Sequence, residues 1–194
     1  MNLSFKNLKE FFRDKSRDNL YKNLKGIGVD CSLAERGINE EKLFNPWHRR
    51  SLGIIKINSD DPIKYINIIK QDGGKNKPPR WWYFFAIPEN KVISKDNSIE
   101  VKSIRKKSTP LIGKVESVKW EPNSNSNNLA RIFTEDNDIN YLSISLGDIK
   151  VQSLHDNFSG FSIELEFKVK EKKLNQISWK TLNKIAKYCL KNNL

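Results

Sequence analysis

Arg80-Trp81-Trp82-Tyr83-Phe84-Phe85-Ala86-Ile87 is apolar at every position after the first. Successive side chains of a strand point to opposite faces, so a strand of this composition needs cover on both sides. It is therefore expected at the centre of a sheet. On its N-terminal side lie two β-branched runs, residues 52–57 and 63–70, separated by the turn cluster Asn58-Ser59-Asp60-Asp61-Pro62. Gln71-Asp72-Gly73-Gly74 closes the second. On the C-terminal side, residues 99–105 and 113–120 alternate apolar and polar, the pattern of half-exposed antiparallel strands. Residues 148–152 and 161–170 resume that alternation, joined through Asn157-Phe158-Ser159-Gly160.

Helical spacing appears toward both ends. Phe5, Leu8, Phe12, Leu20 and Leu24 form an N-terminal stripe, with Gly26-Ile27-Gly28 as its stop and the polar run Arg13 to Asn19 as a natural break. Trp179, Leu182, Ile185, Ala186, Cys189 and Leu190 form a closing stripe behind Ser178 as the expected N-cap. A small helix is expected around Leu129 to Phe133, after the low-complexity turn 122–128, and residues 30–46 read as an irregular connector. These segments give an α+β fold, a largely antiparallel sheet of about six to eight strands flanked by an N-terminal and a C-terminal amphipathic helix. Residues 1–29 read as an N-terminal helical segment and 30–194 as a single α+β domain.

The formal net charge of +12 is concentrated rather than spread. Residues 1–41 hold 8 Lys and Arg against 7 Asp and Glu, and residues 120–194 hold 10 against 9. Residues 42–119 hold 17 against 7. Richness in Lys, Asn and Ile, as in AT-rich bacterial coding, would raise charge throughout the chain. Concentration in one third instead favours an acidic partner, protein or nucleic acid, because a basic surface attracts polyanions through its field and counterion release. A solvated, lysine-rich sheet face is the alternative reading.

Three clusters inside that third carry the binding expectation. Lys75, Lys77, Arg80 and Trp81 interleave cations with rings, the combination that holds stacked bases and their phosphates. Trp47, His48, Arg49 and Arg50 precede a strand, and paired arginines suit phosphate or carboxylate. Arg105, Lys106 and Lys107 add positive charge at a strand end. Because adjacent residues of a strand diverge, at least one of Trp81 and Trp82 is expected in the core.

The enzymatic alternative is a Mg²⁺-dependent nuclease. Glu166-Phe167-Lys168 has the E-x-K spacing of the PD-(D/E)xK class, with Asp156 ten residues upstream as the second carboxylate. Glu100-Val101-Lys102 and Asp148-Ile149-Lys150 repeat the spacing, so this composition supplies it freely. No Walker A, G-x-S-x-G or H-E-x-x-H sequence is present, and no motif calls for a cofactor. Cys31 and Cys189 are distant in sequence, as are His48 and His155, so buried thiols in a reducing compartment are expected rather than a zinc site. With no apolar run long enough to span a bilayer and no signal-peptide pattern, the expected location is cytoplasmic.

Overall fold

The structure, a computed structural model, describes residues 14–45, 49–90, 96–109, 113–153, 155, 158–167 and 173–191. Its strands are β1 (Cys31–Leu33), β2 (Arg50–Ile57), β3 (Tyr65–Gln71), β4 (Arg80–Pro88), β5 (Glu100–Lys107), β6 (Val115–Pro122), β7 (Ile149–Gln152) and β8 (Gly160–Phe167). The helices are α1 (Ser16–Gly26), α2 (Asn127–Glu135), α3 (Asn137–Leu146) and α4 (Gln176–Lys191), with a 3-10 turn at Asn39–Lys42. The fold is α+β, and all eight strands form one antiparallel sheet in the order β1-β2-β3-β4-β8-β7-β5-β6. The β7–β8 hairpin is inserted between the β1–β4 meander and the β5–β6 hairpin. Strand β4 is interior, as its two apolar faces require.

The two faces of β4 meet different neighbours. Trp81, Tyr83, Phe85 and Ile87 join a large core with Ile66 and Ile68 of β3 and Ile163 and Leu165 of β8. Leu20 and Leu24 of α1, Phe133 of α2, Leu142 of α3, and Leu182, Ile185 and Cys189 of α4 roof the same core. All four helices therefore cover one face of the sheet. On the other face Ile69, Trp82 and Phe84 form a small second cluster under Phe44. That cover comes from the connector between β1 and β2. Trp81 and Trp82 are 6% and 3% exposed. Both are core, on opposite faces of the sheet.

Short β7 completes its ladder with hydroxyls. At its start Ile149 N–H donates to Ser103 Oγ at 2.8 Å, and just past its end Ser153 Oγ accepts the N–H of Ile99, the residue before β5, at 2.8 Å. Asn175, rather than Ser178, caps α4: its Oδ1 accepts the Ser178 N–H at 2.7 Å. Helix α3 lies in a stretch for which no element was expected. Asp136 caps it, accepting from the Asp138 and Ile139 amides. Lys184 of α4 then meets Asp136 at 2.6 Å, which ties the two helices together. Both cysteines are buried free thiols, and burial pushes Cys189 up to about 12. Among the described residues, no helix is long and apolar enough to cross a membrane.

Candidate functional site

Antiparallel pairing fixes which strand ends lie together. Trp81 pairs with Phe167, Leu165 with Ile149, and Lys102 with Lys150. The starts of β4, β7 and β6 and the ends of β3, β8 and β5 therefore share one end of the sheet. Two strand connections meet there, residues 72–79 between β3 and β4 and the link from β5 to β6, of which Ser108, Thr109, Gly113 and Lys114 are described. The first is pinched by reciprocal bonds of Gly74 and Lys77, with Lys75 and Asn76 at its tip. A side chain on Gly73 would meet Lys77 O at 2.7 Å, so the loop folds closely on itself. A cleft of about 760 Å³ lined by Asp72, Lys75, Lys77 and Arg80 opens beside it.

The arginines at this end have carboxylate partners within the fold. Arg50 donates two bonds to Asp72, at 3.1 and 3.2 Å, and these hold the Asp72 carboxyl below its usual range. Lys70 bridges Asp72 and Asp14, both at 3.2 Å. Arg80 meets Glu166 at 2.8 Å and Arg105 meets Asp148 at 2.7 Å. The lysines differ. Lys75, Lys77, Lys106, Lys107 and Lys114 are exposed, and no carboxylate among the described residues is in ion-pair contact with them. Glu116, on β6, is the nearest acidic neighbour in sequence to Lys114. Five of the carboxylates within residues 42–119, Asp60, Asp61, Glu89, Asp96 and Glu100, lie at the opposite end of the sheet, which also carries Lys56 and Lys64. Within residues 42–119, cations therefore exceed carboxylates most at the hairpin end.

A second polar feature crosses the open face. Arg49 sits 3.8 Å over the Trp82 ring, close enough for cation–π attraction. Beside it, Glu164 pairs across strands with Phe84 and Lys150. Glu100 receives Lys102 at 2.6 Å and Lys150 at 2.9 Å. Burial works to raise the Glu100 carboxyl, but these two ammonium groups prevail and hold it low. Burial wins at Glu164, pushing its carboxyl above the usual range against Lys150 and Arg49.

A carboxyl whose pKa rises on folding favours its protonated form in the native state. Its stabilising effect is complete below the ordinary glutamate value and is lost as pH rises through the raised native one. Glu164→Gln is accordingly expected to raise the unfolding midpoint at pH 7 and to match the parent near pH 4. Urea unfolding at both pH values checks this. A less stable variant at pH 7 would show that attraction to Lys150 and Arg49 outweighs burial.

The structure brings Lys75, Lys77 and Arg80 to the same end as Arg105, Lys106 and Lys107. It separates the adjacent arginines: Arg49 covers Trp82 on the open face, whereas Arg50 joins Asp72 and Lys70, and Lys70 lies near Trp81 on the helix-covered side. Trp81 is buried, with its Nε1 donating to Asp14 at 3.3 Å, so it presents no free ring for stacking. Trp47 and His48 lie outside the described residues, as do Asp156 and Lys168 of the nuclease alternative. Its remaining member, Glu166, is the acceptor of Arg80, and no group of three metal-binding side chains occurs among the described residues. Sequence reasoning gave no binding role to Lys114 or Glu164, and met Lys150 only as a chance repeat of the E-x-K spacing. Lys114 was legible as a charge flanking an expected strand, but its proximity to Lys106 and Lys107 depends on hairpin register. No protein-family model matches this chain, and neither a curated protein nor a solved structure is significantly similar to it.

Proposed function

We propose that this protein is a non-enzymatic adaptor that docks an acidic partner through the basic end of its sheet. One observation carries the reading: lysines from two hairpins distant in sequence share one end of the sheet, while most nearby arginines are engaged by internal carboxylates. Exposed ammonium groups with no ion-pair contact among the described residues suit a polyanion, whose counterions are released on binding. Carboxylates at the far end would orient the approach.

The test is fluorescence anisotropy with labelled polyglutamate and labelled oligonucleotides at low and physiological salt. Binding of at least one polyanion is expected, falling steeply with salt. The Lys75→Glu/Lys77→Glu variant should weaken it by about tenfold or more, as expected for lost phosphate or carboxylate contacts. No binding at low salt, or binding indifferent to that variant, would overturn the proposal.

A further inference from the structure

From the spacing of the two lysine hairpins we infer that the acidic partner is duplex nucleic acid, gripped by its phosphate backbones without base reading; this rests on the docking function proposed above. In the strand order, the β3–β4 and β5–β6 hairpins are separated by the β8–β7 pair. Centre to centre this is four inter-strand spacings, roughly 19 Å at ~4.8 Å each. The charges therefore form two prongs, one bearing Lys75 and Lys77 and the other Lys106, Lys107 and Lys114, rather than a continuous stripe.

Prongs at this separation exceed the ~12 Å width of the major groove and reach the two backbones bordering it. The separation is shorter than one helical turn of about 34 Å, so a single duplex serves both. A duplex also offers the densest array of fixed charge, about one phosphate per 1.7 Å of axis.

Other polyanions fit less well. Single strands are held largely by stacking on aromatic rings, but both described tryptophans of β4 are buried. Tyr141, on α3, is the strongly exposed aromatic among the described residues. Acidic protein partners usually anchor through apolar or aromatic hot spots, and at this end the exposed large apolar side chain among the described residues is Ile104. Lysines meet phosphates as point charges, contacts that carry no sequence information, while the forked guanidinium groups of Arg50, Arg80 and Arg105, better shaped for base edges, are held by carboxylates.

The experiment titrates a labelled 16-base-pair duplex, the matching single strand and polyglutamate against the full chain. It is repeated with Lys75→Glu/Lys77→Glu, Lys106→Glu/Lys107→Glu and the fourfold combination. The duplex should bind most tightly, at one protein per two-prong site, with a log–log salt slope of about −4 for four or five phosphate contacts. Each double variant should lose about tenfold, and the fourfold variant at least a hundredfold. Circular dichroism and melting of the variants check that these exposed substitutions leave the fold intact. Equal or tighter binding of single strand or polyglutamate would overturn the duplex assignment and leave the docking function standing. Loss confined to one double variant would overturn the two-prong grip. Failure of every polyanion to bind at low salt would remove both.

Discussion

Asn67→Ala should destabilise the protein by about 2–4 kcal/mol, far more than the loss of a surface amide, because it leaves buried polar groups unpaired. Asn67 is fully buried on β3, facing the side of the sheet that the helices do not cover. Its Nδ2 donates to Leu43 O at 2.7 Å and lies within 3.3 Å of Glu41 O. Its Oδ1 accepts Ser51 Oγ–H at 2.7 Å, and that hydroxyl in turn accepts the Gly53 N–H at 3.0 Å. One amide thus joins the connector to the β-bulge between Ser51 and Gly53. The same grip holds Phe44 in place, a non-glycine residue at φ 59° whose ring stacks 5.1 Å from Phe84. Alanine would release the connector as well as weaken the sheet. Urea unfolding measures the lost stability, and hydrogen exchange of residues 39–45 measures the release of the connector. A loss below about 0.5 kcal/mol would mean the carbonyls find other donors and the clamp is incidental.

Gly160→Ala is expected to cost at least about 3 kcal/mol, through strain and a backbone collision together. Gly160 begins β8 at φ 135°, a conformation open almost only to glycine, and pairs with Pro88 at the end of β4. An added Cβ would fall 2.2 Å from Ile87 O and 2.8 Å from Glu89 N. Neither neighbour is the yielding end of a side chain. The β4–β8 contact joins the meander to the inserted hairpin, so displacing it disturbs the centre of the sheet. Thermal unfolding should show a clear loss, whereas Gly28→Ala, also at positive φ but in open space, should cost less. Equal losses at the two positions would assign the effect to backbone strain alone.

The strands were legible because period-two burial is local. In β5 the exposure of Lys102 and Ile104 alternates with the burial of Val101 and Ser103, and the doubly apolar β4 declared itself interior. The closing helix was equally plain, since Trp179, Leu182, Ile185 and Cys189 repeat at helical spacing and are all buried. Helix α3 escaped because Ile139, Leu142 and Leu146 are spread among Asn, Asp and Ser; its capping by Asp136 and its packing on the sheet supply what propensity does not. Strand β1 escaped for another reason. Three residues carry too little pattern to mark a strand, and Cys31–Leu33 is extended because β2 offers a partner edge.

The binding surface divides in the same way. The excess of Lys and Arg in residues 42–119 belongs to the sequence. So does the divergence of Trp81 and Trp82, since neighbours on a strand must face apart. Pairing between distant strands is a different matter, because a strand's pattern sets its buried face and leaves its neighbours open. Inserting β7 and β8 between β4 and β5 set the distance between the lysine hairpins, and antiparallel register brought both to one end. Tertiary contact also assigned Arg50, Arg80 and Arg105 to Asp72, Glu166 and Asp148, partners that no local spacing identifies. Local periodicity determined which residues are buried and where charge is abundant; non-local hydrogen bonding decided which of those charges meet each other and which are left for a partner.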